Sequence, residues 1–554
     1  MSVFIGYPSF MAYQMMKGKK GNNDGFPSIP GMIARYSALG LTNEQMATNP
    51  VWVDKTGNGH DLQMKNFAWK EGSGISDIYP GALVFDGVDD YGVCDNFPIL
   101  TKEKGYTVVA LRQWITRGEI AQGLVSNVKN WLKDGAFLLE YRNIQAQYLN
   151  KPISFGAIGS EMDLSHILTY QTSKSYNGVS ITTGNFEGTD VLHVGKLAPT
   201  NVGTCINAAI WEFVFLDHDA TEEELTKIKD YFVKTYPWLF PDQAWTVTGK
   251  TNEDEDRATI ANITGNGNDL VLSNLAFSGK SGYGLYGDNY NNWRVLLDTF
   301  VNATKSDHKI EVTQVIDIAI QIRYDLQGDQ DGLQISSYKV KITGITENQT
   351  INYRSSSGTS YTIDQDGIYT LPEIEIAASG WYGFQFNKVQ ESCNITIEQI
   401  PEYEGYLVTD GVDDEIISAK LIQFADKFTI VGDWKFMEDR KDNAGLLKAN
   451  QIYIYNATTG MRIYLKQGSK NYPFSCKKIN ALTSDGWVYD EKWDKYKVYP
   501  IGSDIDISSR LFLGFYSSNF TKIALKNLGI YNDQLLSKDD CIKAYNYLQT
   551  LKAK

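Results

Sequence analysis

TNEQMATNPVWVDKTGNGHDLQMKNFAW at residues 42–69 and GALVFDGVDDYG at residues 81–92 are each followed, far downstream, by a near copy. The copy of the first stretch is TNEDEDRATIANITGNGNDLVLSNLAF at 251–277, and the copy of the second is GYLVTDGVDDE at 405–415. A chain that repeats itself in this way reuses one folded unit. The landmarks TGNGHDL and DGVDD lie about 30 residues apart in the first copy and about 145 apart in the second. The second copy therefore carries an insertion of roughly 110 residues, which a unit tolerates when the inserted ends meet at a surface loop.

Beyond the second landmark the copies run on in the same order. GYTVVALRQWI at 105–115 and DKFTIVGDWKF at 426–436 read as strands, with β-branched and aromatic residues in rough alternation. AAIWEFVFLD at 208–217 and TKIALKNLGIYND at 521–533 read as closing strands, each followed by an amphipathic helical segment. Thr221 and Ser537 are the expected N-caps, with Glu224 and Asp540 three positions on. The inserted stretch is itself rich in strand-like runs separated by Gly, Asn and Asp turns. The expected architecture is mainly β. Residues 1–30 are an arm and linker, 31–240 a first sandwich, and 243–292 with 404–554 a second, discontinuous sandwich. Residues 293–403 are an inserted β-sandwich, and each of the two main sandwiches ends in a helix.

Composition narrows the function classes. A net charge of −14 without a long Lys/Arg run argues against a nucleic-acid surface. The 34 tyrosines, 12 tryptophans and 48 glycines suit antiparallel sheets joined by tight turns, and surfaces that stack on sugars or proteins. Five scattered cysteines without a CxxC pair give neither a zinc site nor a disulfide framework. The apolar N-terminus has its lysines after the apolar stretch and is interrupted by Pro8, so it reads as neither a secretory signal nor a membrane span. An arm of this kind docks onto a partner or packs back on its own domain.

Among the motifs, TGNGHDL and TGNGNDL place Asn-Gly where hairpins need a positive φ. DGVDD concentrates three carboxylates, Asp86, Asp89 and Asp90, repeated as Asp410, Asp413 and Asp414. Such oxygens suit a hard cation such as calcium; aspartates bonding their own backbone explain the motif equally well. A glycosidase needs two carboxylates facing a sugar. The nearest approaches are Glu161 with Asp163, which lacks the following glutamate, and Glu373 with Glu375 in the insert. No catalytic residue is therefore assigned, and no cofactor is required. Aromatic candidates for sugar contact are Trp69 and Tyr91, with Trp381 and Tyr382 in the insert as a surface pair. Trp114 and Trp434 are taken as matching core positions of the two copies.

The run Trp52 to Leu62 followed by Phe85, Asp86, Gly87, Asp89, Asp90 and Tyr91 resembles the concanavalin A-like/laminin-G-like jelly-roll family. The resemblance implies tandem jelly rolls and a lectin-like character. The second copy departs from it at Thr409 and Glu415, in the places of Phe85 and Tyr91, and in lacking Trp52, with Ala261 or a neighbour near that place. In style and composition the whole chain also resembles structural proteins of phages of gut Bacteroidetes, including the crAss-like group. That resemblance implies a virion protein made in the host cytoplasm: a head or tail fibre or capsid decoration, active in host attachment. It would be a homo-oligomer that contacts other virion proteins through its N-terminal arm and adheres to glycans, with no nucleic-acid or membrane partner. The alternatives are a bacterial carbohydrate-binding surface or secreted protein and, less favoured, a glycoside hydrolase.

Overall fold

A computed structural model describes residues 24–100, 104–116, 122–127, 138–139, 146–150, 154–158, 167–180, 189–196, 205–278, 281–284, 296–297, 301–305, 309–318, 320–325, 333–335, 337–376, 380–401, 403–437, 444–449, 452–457, 460–465, 468–471, 478–497, 508–516 and 519–553. Residues 1–23 of the expected arm, and Glu161 and Asp163, lie outside them. The described chain is mainly β, and its paired strands are antiparallel throughout.

Twelve elements position the repeated turns and the helix layer. Six belong to the first part of the chain: β1 (Met32–Ser37), α1 (Asn43–Thr48), β2 (Leu83–Asp86), β3 (Thr107–Thr116), β4 (Asn207–Leu216) and α2 (Glu222–Thr235). In the later part they are β5 (Gln243–Thr246), β6 (Leu407–Val408), β7 (Phe428–Phe436), β8 (Ile479–Thr483), β9 (Ile523–Asn532) and α3 (Lys538–Gln549). In the first copy β4 lies between β3 and β2 in an eight-stranded sheet, and β1 also pairs with β4. A six-stranded sheet containing Leu62–Lys65, Tyr91–Asp95 and Val191–Val194 completes the unit. Leu83, Phe85, Val108 and Phe213 from one sheet meet Leu62, Cys94 and Leu192 from the other in a common core.

The second copy repeats the arrangement. β9 lies between β7 and β6, and β5 also pairs with β9. The other sheet of this unit is eight-stranded and includes Leu270–Ser273 and Glu415–Ser418. The insert forms two five-stranded sheets around its own core, with Val312, Val340, Tyr353, Phe384 and Ile397.

Both helices start as their caps require. Thr221 accepts from the Glu224 backbone N–H, and the Glu224 carboxylate accepts from the Thr221 N–H in return. Ser537 accepts from the Asp540 N–H at 3.1 Å. α1 is a helix that the sequence pattern did not announce; Thr42 and Gln45 close its capping box. Thr251, at the corresponding place in the second copy, is instead held in a turn by both oxygens of Asp254.

The helices do not close two separate units from outside. Ile228 and Phe232 of α2, Ala544 and Leu548 of α3, and Trp238 and Leu239 between them share one apolar cluster. Val109 and Trp211 of the first copy's sheet and Val431 and Tyr531 of the second's complete it. The Tyr531 hydroxyl donates to the Trp238 carbonyl at 3.0 Å, and Gln113 of β3 bonds the Thr550 hydroxyl at 3.1 Å. β3 and β9 are thus buried along nearly their whole length, the polar Arg112, Gln113 and Asn527 included.

Candidate functional site

The repeated motifs build the same turns twice. Gly87 and Gly411 take positive φ, and a Cβ on Gly87 would come within 2.9 Å of Asn207. Asp86 Oδ1 accepts from the Val88 N–H at 2.8 Å, and Asp410 Oδ1 from the Val412 N–H at 2.7 Å. The last aspartate reaches back: Asp90 Oδ2 accepts from the Asp86 N–H at 3.0 Å, and Asp414 Oδ2 from the Asp410 N–H at 2.6 Å. The backbone carbonyls of Asp89 and Asp413 accept from Asn66 and Asn274, both in the left-handed region. Asp90 and Asp414 are buried. Burial pushes the Asp90 carboxyl up to about 7 and that of Asp414 to about 6, against opposing hydrogen bonds from Ser73 and Ser281.

Asp86, Asp89 and Asp90 have carboxylate oxygens within 4.8 Å of one another, as do Asp410, Asp413 and Asp414. Asp86 Oδ1 and Asp90 Oδ2 already accept backbone N–H groups, and the same holds in the second copy. Asp86, Asp90, Asp410 and Asp414 therefore each serve the turn itself.

TGNGHDL and TGNGNDL are clasps. Asp61 accepts from the Asp54 N–H at 2.9 Å, and Asp269 from the Asn262 N–H at 2.8 Å. Thr56 and Asn58 donate to carbonyls at the start of β1, and Thr264 and Asn266 to the Asp242 carbonyl just before β5. The Tyr36 hydroxyl donates to the His60 carbonyl; the Trp245 indole donates to the Asn268 carbonyl. Trp52 pairs with Leu62, and Ile260 with Leu270. Ile260, not Ala261, therefore stands in the place of Trp52.

Two further matched contacts, and one matched backbone conformation, were not foreseen from sequence, although the aligned copies carry their residues at corresponding places. Asn43 exchanges two side-chain bonds with the Ile75 backbone, and Asn252 with that of Tyr283. Ser73 accepts from the Ala68 N–H, and Ser281 from that of Ala276. Trp69 and Phe277 occupy the same left-handed position, with φ of 51° and 50°.

The aromatic candidates do not form one platform. Trp69 is half-buried and stacks on Phe67 at 4.8 Å. Tyr91 is half-buried with the Lys196 ammonium 4.5 Å from its ring centre. Trp381 is half-buried near the Arg354 guanidinium. Tyr382 is not a surface residue: strand alternation turns it inward against Tyr353, where it is buried. Glu373 and Glu375 are exposed. Trp114 and Trp434 are buried, as expected, but they are not equivalent. Leu83 and Leu407 pair with Ile210 and Leu525, which face Arg112 and Trp434. Trp434 therefore takes the place of Arg112, and Trp114 that of Phe436; the bulges at Trp211 and Lys526 fall at corresponding places in the two copies and leave Thr107 aligned with Thr429.

A polar cluster unforeseen from sequence lies on the helix side of β7. Asp433 is buried, and its Oδ2 accepts from the hydroxyls of Tyr406 and Tyr545, each at 3.0 Å, and from Gln549 Nε2 at 3.2 Å. The Lys478 ammonium lies 2.7 Å from Oδ1. Burial pushes the Asp433 carboxyl up, but Lys478 and the two hydroxyls outweigh it and hold the group below its ordinary value. Its residues come from four distant segments, so no local motif announces it.

No family model matches the chain, and no curated relative does. Among solved structures, Trypanosoma rangeli sialidase in complex with the inhibitor DANA is similar at 15% identity over 41% of this chain, with a TM-score of 0.28. The chain spans 39% of that sialidase's length. The botulinum neurotoxin serotype D ligand-binding domain in complex with N-acetylneuraminic acid is similar at 10% identity, covering 65% of this chain and 96% of that one, with a TM-score of 0.28. Likenesses of this size assign neither an activity nor a ligand.

Proposed function

We propose that the chain is a phage virion structural protein, a head or tail fibre or capsid decoration that adheres to glycans. In this reading it consists of two concanavalin A-like jelly-roll sandwiches in tandem, the second interrupted by a third sandwich. It assembles as a homo-oligomer, and residues 1–30 attach it to the particle. The observation that carries the scaffold reading is the bond-for-bond recurrence of the turns. The residues that repeat most strictly, including all six motif aspartates, belong to loops whose side chains hold their own backbone. Residues repeated for architecture are what a modular scaffold needs. A catalytic pair would instead face a substrate from opposite sides.

The test is to band phage particles on a density gradient and identify their proteins by mass spectrometry. Co-migration of this chain with the capsid at fixed stoichiometry supports the reading. Intact particles free of the chain, or purified chain that hydrolyses a glycan, would overturn it.

A further inference from the structure

We propose that the strand Gly367–Leu371 of the inserted sandwich is the edge through which two copies of this chain pair, a proposal that rests on the homo-oligomer part of the reading above and gives it a surface. The strand ends one of the insert's five-stranded sheets and is paired on one side only, with Tyr338–Thr343. Leu371 stands opposite Tyr338, and its carbonyl accepts from the hydroxyl of the adjoining Ser337 at 2.7 Å, so it turns toward that neighbour. Backbone groups alternate in direction along an antiparallel ladder, so those of Ile368 and Thr370 turn outward. The Ile368 side chain is 65% exposed. Beside it Tyr361, on the edge strand of the insert's other sheet, is exposed, with its ring 6.2 Å from that of Tyr369.

An unpaired edge offers a row of N–H and C=O groups to any extended chain, and folded proteins shield such edges by shortness, lysine, proline, bulges or covering loops. Among the described residues, the other edges of the sheets of five or more strands are shielded in these ways. Most are two residues long, as Gly74–Ile75 and Gly282–Tyr283 are. Lys495–Lys497 has a lysine at each end, and Gly468–Asn471 carries Lys470. Gly358–Ile363 and Val301–Lys305 have bulges in their ladders, the second with Lys305 besides. β1 and β5 lie under the TGNG clasps, where the Lys55 N–H donates to the Arg35 carbonyl and the Ile263 N–H to that of Ala244. Gly367–Leu371 has none of these devices. It is five residues long, without charge or proline, and its ladder runs without a break in register.

The occupant that fits is a second copy of the same strand. Antiparallel pairing about a two-fold axis at Ile368 gives each outward N–H and C=O its counterpart. It also lays one Ile368 against the other and takes two exposed apolar side chains out of water. No like charges then stand directly opposite, since Asp366 of each copy meets Thr370 of the other. Thr370 is paired in its own sheet with Lys339, which is exposed. Each Asp366 thus comes onto the rung of the other copy's Lys339, two strand spacings or roughly 10 Å away, with opposite charge. A single strand pair is much smaller than the interface of a stable dimer. Association is therefore weak in dilute solution and grows wherever many copies are held close together.

The test is analytical ultracentrifugation of the full chain over a concentration series. The variants are Ile368→Lys, Thr370→Pro and, as a control, Ile316→Lys at an exposed apolar position elsewhere in the insert. The parent should associate reversibly, and more so at higher concentration. Ile368→Lys sets two ammonium groups opposite one another. Thr370→Pro removes an outward donor and leaves the ladder to Tyr338–Thr343 in place. Each should weaken association at least about tenfold with the thermal midpoint unchanged, while Ile316→Lys associates as the parent does. Association that persists in both edge variants, or that Ile316→Lys weakens equally, would overturn this proposal and leave the homo-oligomer reading standing. A parent that stays monomeric at every concentration would overturn both. If the Ile368 and Thr370 amides of such a monomer gain protection from hydrogen exchange only in purified particles, the edge belongs to another virion protein and self-pairing is overturned.

Discussion

The helix-facing sides of the two main sheets occupy corresponding places and have opposite chemistry. In the first copy Ala82, Leu111 and Trp211 close the region; in the second, Tyr406, Asp433 and Lys526 leave it polar and half-buried. The turns at the ends of the same strands hardly differ: Asp86 and Asp410, Asp90 and Asp414, Asn66 and Asn274 make the same bonds. The scaffold chemistry is held in both copies while the sheet face between the turns has changed. The place where duplicated units differ points to function more directly than the place where they agree.

Substitution at the diverged position should break the comparison most visibly. Trp211→Ala removes a fully buried indole and should cost about 3–5 kcal/mol in denaturant unfolding. Lys526→Ala, at the equivalent place, should change stability by no more than about 0.5 kcal/mol. Equal losses would mean that Lys526 is core filling and that the two faces are not functionally distinct.

The agreeing turns sharpen the comparison through pH. Asp90 and Asp414 have folded values of about 7 and about 6 against an ordinary 3.8, so the native state binds protons that the unfolded chain releases. Their contribution is fully present below 3.8 and is lost as pH rises through about 6 to 7. Asp90→Asn with Asp414→Asn keeps an acceptor for the turn and removes the charge. Its thermal midpoint should vary less than the parent's across this range and exceed it above about pH 8. Asp90→Ala loses the acceptor as well and should cost about 1–3 kcal/mol. A parent that gains stability on the alkaline side would contradict the burial account.

Smaller effects are expected at the helix starts and from metal. Thr221→Ala and Ser537→Ala should each cost about 1 kcal/mol, read from the same unfolding curves. Millimolar calcium should leave the thermal midpoint unchanged. A rise that chelator reverses, and that Asp89→Asn with Asp413→Asn removes, would restore the acidic turns as metal sites.

Much of the architecture was legible because duplication supplies an internal alignment. The strands around DGVDD, the helices after Asp217 and Asp533, and the two N-caps follow from pattern and spacing. Trp114 and Trp434 are not matched by register because they stand seven and five residues after Thr107 and Thr429, which hold equivalent places. Tyr382 looked like surface beside a glycine, but its inward orientation follows from strand pairing. The shared helix layer and the Asp433 cluster were illegible for another reason. Their partners, such as Tyr406 and Tyr545 or Trp238 and Tyr531, are far apart in the chain and meet only on folding.

The most direct measurement is cryo-electron microscopy of purified particles that contain the chain. The expected result is density for two similar sandwiches on the capsid or tail, tethered through the N-terminal arm. Particles intact without such density would contradict it.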